Sequence, residues 1–91
     1  MKRTPEAEAQ RDIDVGGYYM RKGDRDAAID RYQDAADVAP KFGKPRLLLA
    51  EAYEKKNDKA AAVKYYKQYL EVVPDAPDKQ KILKKIEKLS H

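Results

Sequence analysis

An all-α superhelix of helical hairpins, closed by one C-terminal helix, is the fold class this sequence predicts, and three observations carry it. Residues 15–40, VGGYYMRKGDRDAAIDRYQDAADVAP, align without a gap with residues 49–74, LAEAYEKKNDKAAAVKYYKQYLEVVP, at an offset of 34 residues. Each stretch is punctuated like two helices joined by a tight turn, with Gly-Asp or Asn-Asp in the middle and proline at the end. The composition, 42% hydrophobic and 40% charged, is too apolar for a disordered chain and charged enough to cover much helix surface.

Identical residues recur at Tyr19/Tyr53, Lys22/Lys56, Asp24/Asp58, Ala27/Ala61, Ala28/Ala62, Tyr32/Tyr66, Val38/Val72 and Pro40/Pro74. Val15/Leu49, Gly16/Ala50, Gly23/Asn57 and Ile29/Val63 match in kind. A period of this length marks a helix–turn–helix unit that cannot bury its apolar face alone and must stack on a neighbour.

The first helix starts at Thr4, whose hydroxyl can cap it, with Pro5 in the first turn and Glu6 and Glu8 at the positive end of the helix dipole. It is expected over about Pro5 to Lys22. Gly23 can take the left-handed conformation that ends a helix, and Asp24 can then cap a second helix over about Arg25 to Val38, which stops before Pro40. The same grammar returns with Pro45 opening the third helix, Asn57 in the left-handed position, Asp58 capping the fourth and Pro74 following it. Beyond Pro74, Ile82, Leu83, Ile86 and Leu89 fall on one helical face among lysines, which predicts a fifth helix over about Asp78 to Ser90. With no partner helix after it, it reads as a cap that covers the last hairpin and turns a polar side outward.

Ninety-one residues give room for one small domain. The absence of cysteine excludes a disulfide framework, a thiolate nucleophile and a cysteine-based metal site. The longest apolar run, Leu47–Ala50, falls far short of a membrane span, and MKRTPEAEAQRD carries no apolar stretch of the kind a secretory signal needs. The net charge of +4 arises from interleaved acids and bases, the pattern of a solvated surface with local helical pairs. Lys79, Lys81, Lys84, Lys85 and Lys88 fit that reading, with a small basic patch for an anionic partner as the alternative.

The aligned residues resemble the tetratricopeptide repeat. In that family's register the first unit supplies Gly16, Tyr19, Gly23, Ala28, Tyr32, Ala35 and Pro40, and the second supplies Ala50, Tyr53, Asn57, Ala62, Tyr66, Tyr69 and Pro74. The resemblance implies one domain over residues 1–91, with repeat one over about 9–42, repeat two over about 43–76 and a capping helix over about 78–90. Asp12 and Arg46 depart from the pattern, standing where the family often has a large aromatic, and Tyr69 replaces the usual alanine, so its ring should lean on the cap helix or widen the spacing. Segment 15–33 is also similar to part of the bacterial outer-membrane assembly lipoproteins built from such repeats, which implies a bacterial origin and an envelope setting; this chain has no cysteine for a lipid anchor.

In this family the first helices of the repeats line a concave face. Carried onto this chain, the resemblance implies a partner-binding groove of Gln10, Ile13, Gly17, Met20 and Arg21 from the first unit and Lys44, Leu47, Glu51, Glu54 and Lys55 from the second, with Lys81, Lys85 and Lys88 added by the cap. Apolar anchors alternating with charges of both signs suit a peptide or helix of another protein. Ile13, Met20 and Leu47 serve equally well as inter-helix core at this spacing. Family members that clamp chaperone tails use paired lysines and asparagines, and here those positions hold Ile13, Gly17 and Leu48, so no such binding is expected.

Chemistry finds little support. His91, the only histidine, sits at the chain end, Asp24 and Asp58 are accounted for as caps, and Gly16-Gly17 lies in a helical pattern with no strand before it, so no enzyme, metal or cofactor is expected. Of the seven tyrosines, only Tyr18 and Tyr65 are expected to face out, which argues against base stacking on nucleic acid. The function expected is therefore protein–protein interaction through the concave face of a monomer. The alternative is a structural scaffold, a piece of a longer protein or a weak homodimer whose end faces stack.

Overall fold

The computed structural model describes residues 3–91. Five α-helices form among them, α1 (Pro5–Arg21), α2 (Arg25–Val38), α3 (Lys44–Lys55), α4 (Lys59–Val72) and α5 (Lys79–Leu89), with no strand among the described residues. The two α-hairpins and the closing helix follow the expected order.

The caps explain why the breaks fall where they do. Thr4 Oγ1, Asp24 Oδ1 and Asp58 Oδ1 each accept a hydrogen bond at 3.1 Å from the amide three residues on, at Ala7, Ala27 and Ala61. Both hairpin turns use one motif. Gly23 at φ 81° and Asn57 at φ 63° take the left-handed conformation. The following amides, of Asp24 and Asp58, donate back to the carbonyls of Tyr19 and Tyr53 at 2.9 and 3.0 Å.

Within each hairpin, large rings fill the space that small residues leave. Tyr32 lies across Gly16, so closely that a Cβ built on the glycine would stand 2.7 Å from Tyr32 Cδ1. Ala28, Ala50 and Ala62 are wholly buried. The core has two parts, and α3 serves both. Leu49 and Ala52 join Ile13, Ile29 and Tyr32 on one side. Ala50 joins Ala62, Tyr66, Tyr69 and Ile82 on the other.

Where the repeat lacks its large aromatic, polar groups take over. Asp12 pairs with Arg31 of α2 at 3.6 Å. Arg46 donates to the carbonyl of Pro40 at 2.9 Å, tying the start of α3 to the end of the preceding unit. Tyr69 leans toward the cap as expected, its hydroxyl donating to Asp78 Oδ1 at 3.1 Å.

Two expectations need correction. Tyr65 does not face out: its ring stacks on Tyr53 at 5.5 Å with planes 3° apart, and its hydroxyl donates to Gln33 Oε1 of α2 at 3.1 Å. Tyr18 is exposed, as expected. The apolar residues of α5 do not share one fate either. Ile82 is buried and Ile86 and Leu89 are half-buried, but Leu83 stands in solvent, beside a shallow depression shared with Leu70 and Pro74. No helix of the described residues is long and apolar enough to cross a membrane.

Candidate functional site

The spacing of the repeat places equivalent residues of α1 and α3 side by side on one face. Gln10 and Lys44 stand one period apart in sequence, and Lys44 Nζ donates to Gln10 Oε1 at 3.5 Å. Gln10 Nε2 in turn donates to Asp14 Oδ1 at 3.0 Å. Behind this polar edge lies an open groove of about 420 Å³ whose floor is Ile13, Gly17, Tyr32 and Leu48, with Arg21 at its far side. The floor is low because Gly17 has no side chain and Ile13 is turned into the core, only 6% exposed.

The face continues into a smaller recess between α3, α4 and α5, walled by Leu47, Tyr66 and Ile82 and rimmed by Glu51, Asp78, Lys81 and Lys85. Three helices are tied there through Glu54. It accepts the Tyr66 hydroxyl at 2.7 Å and pairs with Lys85 at 3.4 Å, while the Lys85 ammonium lies 5.7 Å from the centre of the Tyr66 ring. Burial, and then this hydrogen bond, pushes the Tyr66 phenol well above its ordinary pKa, so it stays a donor.

Glu51 is in a different position. Among the described residues no side-chain hydrogen bond or ion pair reaches its carboxylate. Part of the residue is open to solvent, yet the surrounding atoms desolvate the carboxyl and raise its pKa above the usual carboxylate range, an effect that Lys85 opposes and Glu54 reinforces. The groove therefore holds one satisfied acid, Glu54, and one that lacks a cation of its own.

A family model described as tetratricopeptide repeat matches residues 19–86. The chain belongs to the tetratricopeptide repeat family. Tetratricopeptide repeats generally mediate protein–protein interaction and typically serve as scaffolds without catalysis of their own. No curated protein matches the chain.

Against this tetratricopeptide frame, the structure distributes the ten residues read from the sequence as follows. Gln10, Ile13, Gly17, Arg21 and Lys44 meet in the larger groove. Leu47 and Glu51 line the recess, and Glu54 and Lys55 stand beside Glu51 and Lys85 at its edge. Met20 lies apart from both, half-buried against the first core. Of the cap lysines, Lys81 and Lys85 reach the recess and Lys88 does not line it. Sequence reasoning left Asp14, Tyr32, Tyr66 and Asp78 out of the face. The two tyrosines were read as core, and they are; each also shows one edge of its ring to the groove. Asp78 carried a usable signal, since a residue opening the cap helix must lie beside the last hairpin. No cluster of potential metal ligands occurs among the described residues.

Proposed function

We propose that the face formed by α1, α3 and α5 holds an extended peptide or a short helix of another protein. The observation that supports this most is the pairing of an open apolar floor with a rim that is already hydrogen-bonded at Gln10, Asp14 and Glu54 but leaves Glu51, Arg21 and Lys81 available. A partner would rest one or two apolar side chains over Ile13, Leu48 and Leu47, and direct a lysine or arginine at Glu51. The cation would also oppose the desolvation that raises the Glu51 pKa. With two repeats and a cap, the contact area is small and the expected affinity is modest. The resemblance to envelope lipoproteins over segment 15–33 makes an envelope protein a reasonable first partner to try.

Selection from a random peptide library on the immobilised chain, followed by amide chemical-shift mapping, tests this reading. Selected peptides should carry a basic residue beside apolar ones, perturb α1, α3 and α5, and lose at least tenfold in affinity against Glu51→Lys, which corresponds to about 1.4 kcal/mol. Peptides that map to the outer faces of α2 and α4, or that bind Glu51→Lys equally well, would overturn it.

A further inference from the structure

The larger groove and the recess are one site made twice. Ile13, Tyr32 and Leu48 in the groove stand one period from Leu47, Tyr66 and Ile82 in the recess. In the second copy the tyrosine hydroxyl is served from within the chain. Tyr66 donates to Glu54, and Lys85 pairs with the same carboxylate while lying near the ring. One period back, Glu54 becomes Met20 and Lys85 becomes Glu51. The acid between hydroxyl and cation is thus replaced by an apolar side chain, and the cation by an acid.

Met20 does not take up the position that Glu54 holds. It packs against the first core and lines neither pocket. Tyr32 is only 4% exposed, yet no hydrogen bond reaches its hydroxyl among the described residues. No side-chain polar atom there is both sealed from solvent and unpaired, so this hydroxyl opens into the groove that Tyr32 lines. Glu51 has no partner of its own, because Lys85 is engaged with Glu54. Burial raises the Tyr32 pKa most, Glu51 raises it next and Arg21 lowers it less, so at the phenol Glu51 outweighs Arg21. The first copy therefore has an open position bounded by a hydroxyl and a carboxylate.

Glu54 accepts from both of its neighbours, whereas a group in the open position must donate to both. A guanidinium is the planar donor counterpart of a carboxylate, with five N–H groups in a fixed fork and weaker hydration than an ammonium. We infer that the partner places an arginine here, its guanidinium donating to the Glu51 carboxylate and to the Tyr32 hydroxyl oxygen. The contact presupposes the peptide-binding reading above and adds Tyr32 to it as a second anchor.

The test takes peptides selected on the wild-type chain as above, makes each with its basic residue as arginine, lysine or norleucine, and titrates them calorimetrically against wild type, Glu51→Gln and Tyr32→Phe. Tyr32→Phe keeps the ring that packs on Gly16, and circular dichroism shows whether the helices are kept. The arginine peptide should lose about tenfold on Tyr32→Phe. The lysine peptide should bind wild type more weakly than the arginine peptide does. The norleucine peptide should bind wild type and Tyr32→Phe alike, since it has nothing to donate to the hydroxyl. An arginine peptide that needs Glu51 but binds Tyr32→Phe as well as wild type overturns the inference and leaves the groove reading standing. So does a norleucine peptide that loses as much on Tyr32→Phe as the arginine peptide, or a lysine peptide that binds wild type equally well. Peptides that map away from α1, α3 and α5, or a selection that yields none, overturn both.

Discussion

Gly16 and Gly17 are neighbours in α1 with opposite roles. A methyl on Gly16 enters the Tyr32 ring, which is only 4% exposed. A methyl on Gly17 meets nothing closer than the tip of Arg21 at 3.5 Å. Gly16→Ala should therefore cost about 1–3 kcal/mol through overpacking, while Gly17→Ala should gain up to about 1 kcal/mol from helix propensity; urea unfolding of the two variants reads the opposite signs. Glu51 gives a pH signature. Its folded-state carboxyl keeps its proton to higher pH than the unfolded chain does, so its contribution is most favourable in acid and is lost as pH rises through the raised pKa. Glu51→Gln should thus melt higher than wild type at pH 7, with the advantage vanishing as pH falls below the ordinary 4.5; thermal melts across that range check it. Neither effect depends on identity alone. The sequence marks Gly16 as a small residue of the repeat, but which ring it faces, and which groups surround the Glu51 carboxyl, come from helices far along the chain. The same holds for Tyr65, whose inward turn depends on Tyr53 and Gln33, and for Asp12 and Arg46, whose partners Arg31 and Pro40 no local pattern announces.

The helices themselves were legible because their boundaries are written locally. Thr4, Asp24 and Asp58 lie at the N-caps, three residues before the amides they accept from, and Gly23 and Asn57 lie at the left-handed turns. Observed helix ends differ from the expected ones by about one residue, as fraying makes usual. α5 was harder. Its apolar spacing is strong, yet burial of that face depends on neighbours, and α5 packs on α4 less extensively than the other consecutive helices pack on one another. Its attachments are Ile82 in the second core, the Lys85–Glu54 pair and the Tyr69–Asp78 hydrogen bond. Its amides should accordingly exchange with solvent at least tenfold faster than those of α3, the helix enclosed on both sides. Hydrogen exchange at neutral pH measures this, and equal protection of the two helices would contradict it.

At the scale of the whole chain, the period implied the architecture, and the repeat register implied which helices form the concave face. What it could not give is how that face is divided. A broad groove over Ile13, Gly17 and Leu48 and a narrow recess beside Glu51 are separate because Tyr66, Glu54 and Lys85 are tied together in the second half, where the equivalent positions of the first half are Tyr32, Met20 and Glu51. The molecule is an elongated slab, with extents of 46 × 31 × 17 Å, so the relation between its two hairpins governs its shape. That relation is asymmetric. On the back, the Tyr65–Gln33 hydrogen bond and the Lys56–Asp26 pair bind one hairpin to the other. On the front, a hydrogen bond of 3.5 Å from Lys44 to Gln10 spans the same junction. Bending that widens the front gives up that long bond, and bending that widens the back gives up a hydrogen bond and an ion pair. Beyond the shared core of Leu49 and Ala52, the side-chain ties at the junction are thus heavier at the back, and a guest lying across both halves would press on the side that is less tied.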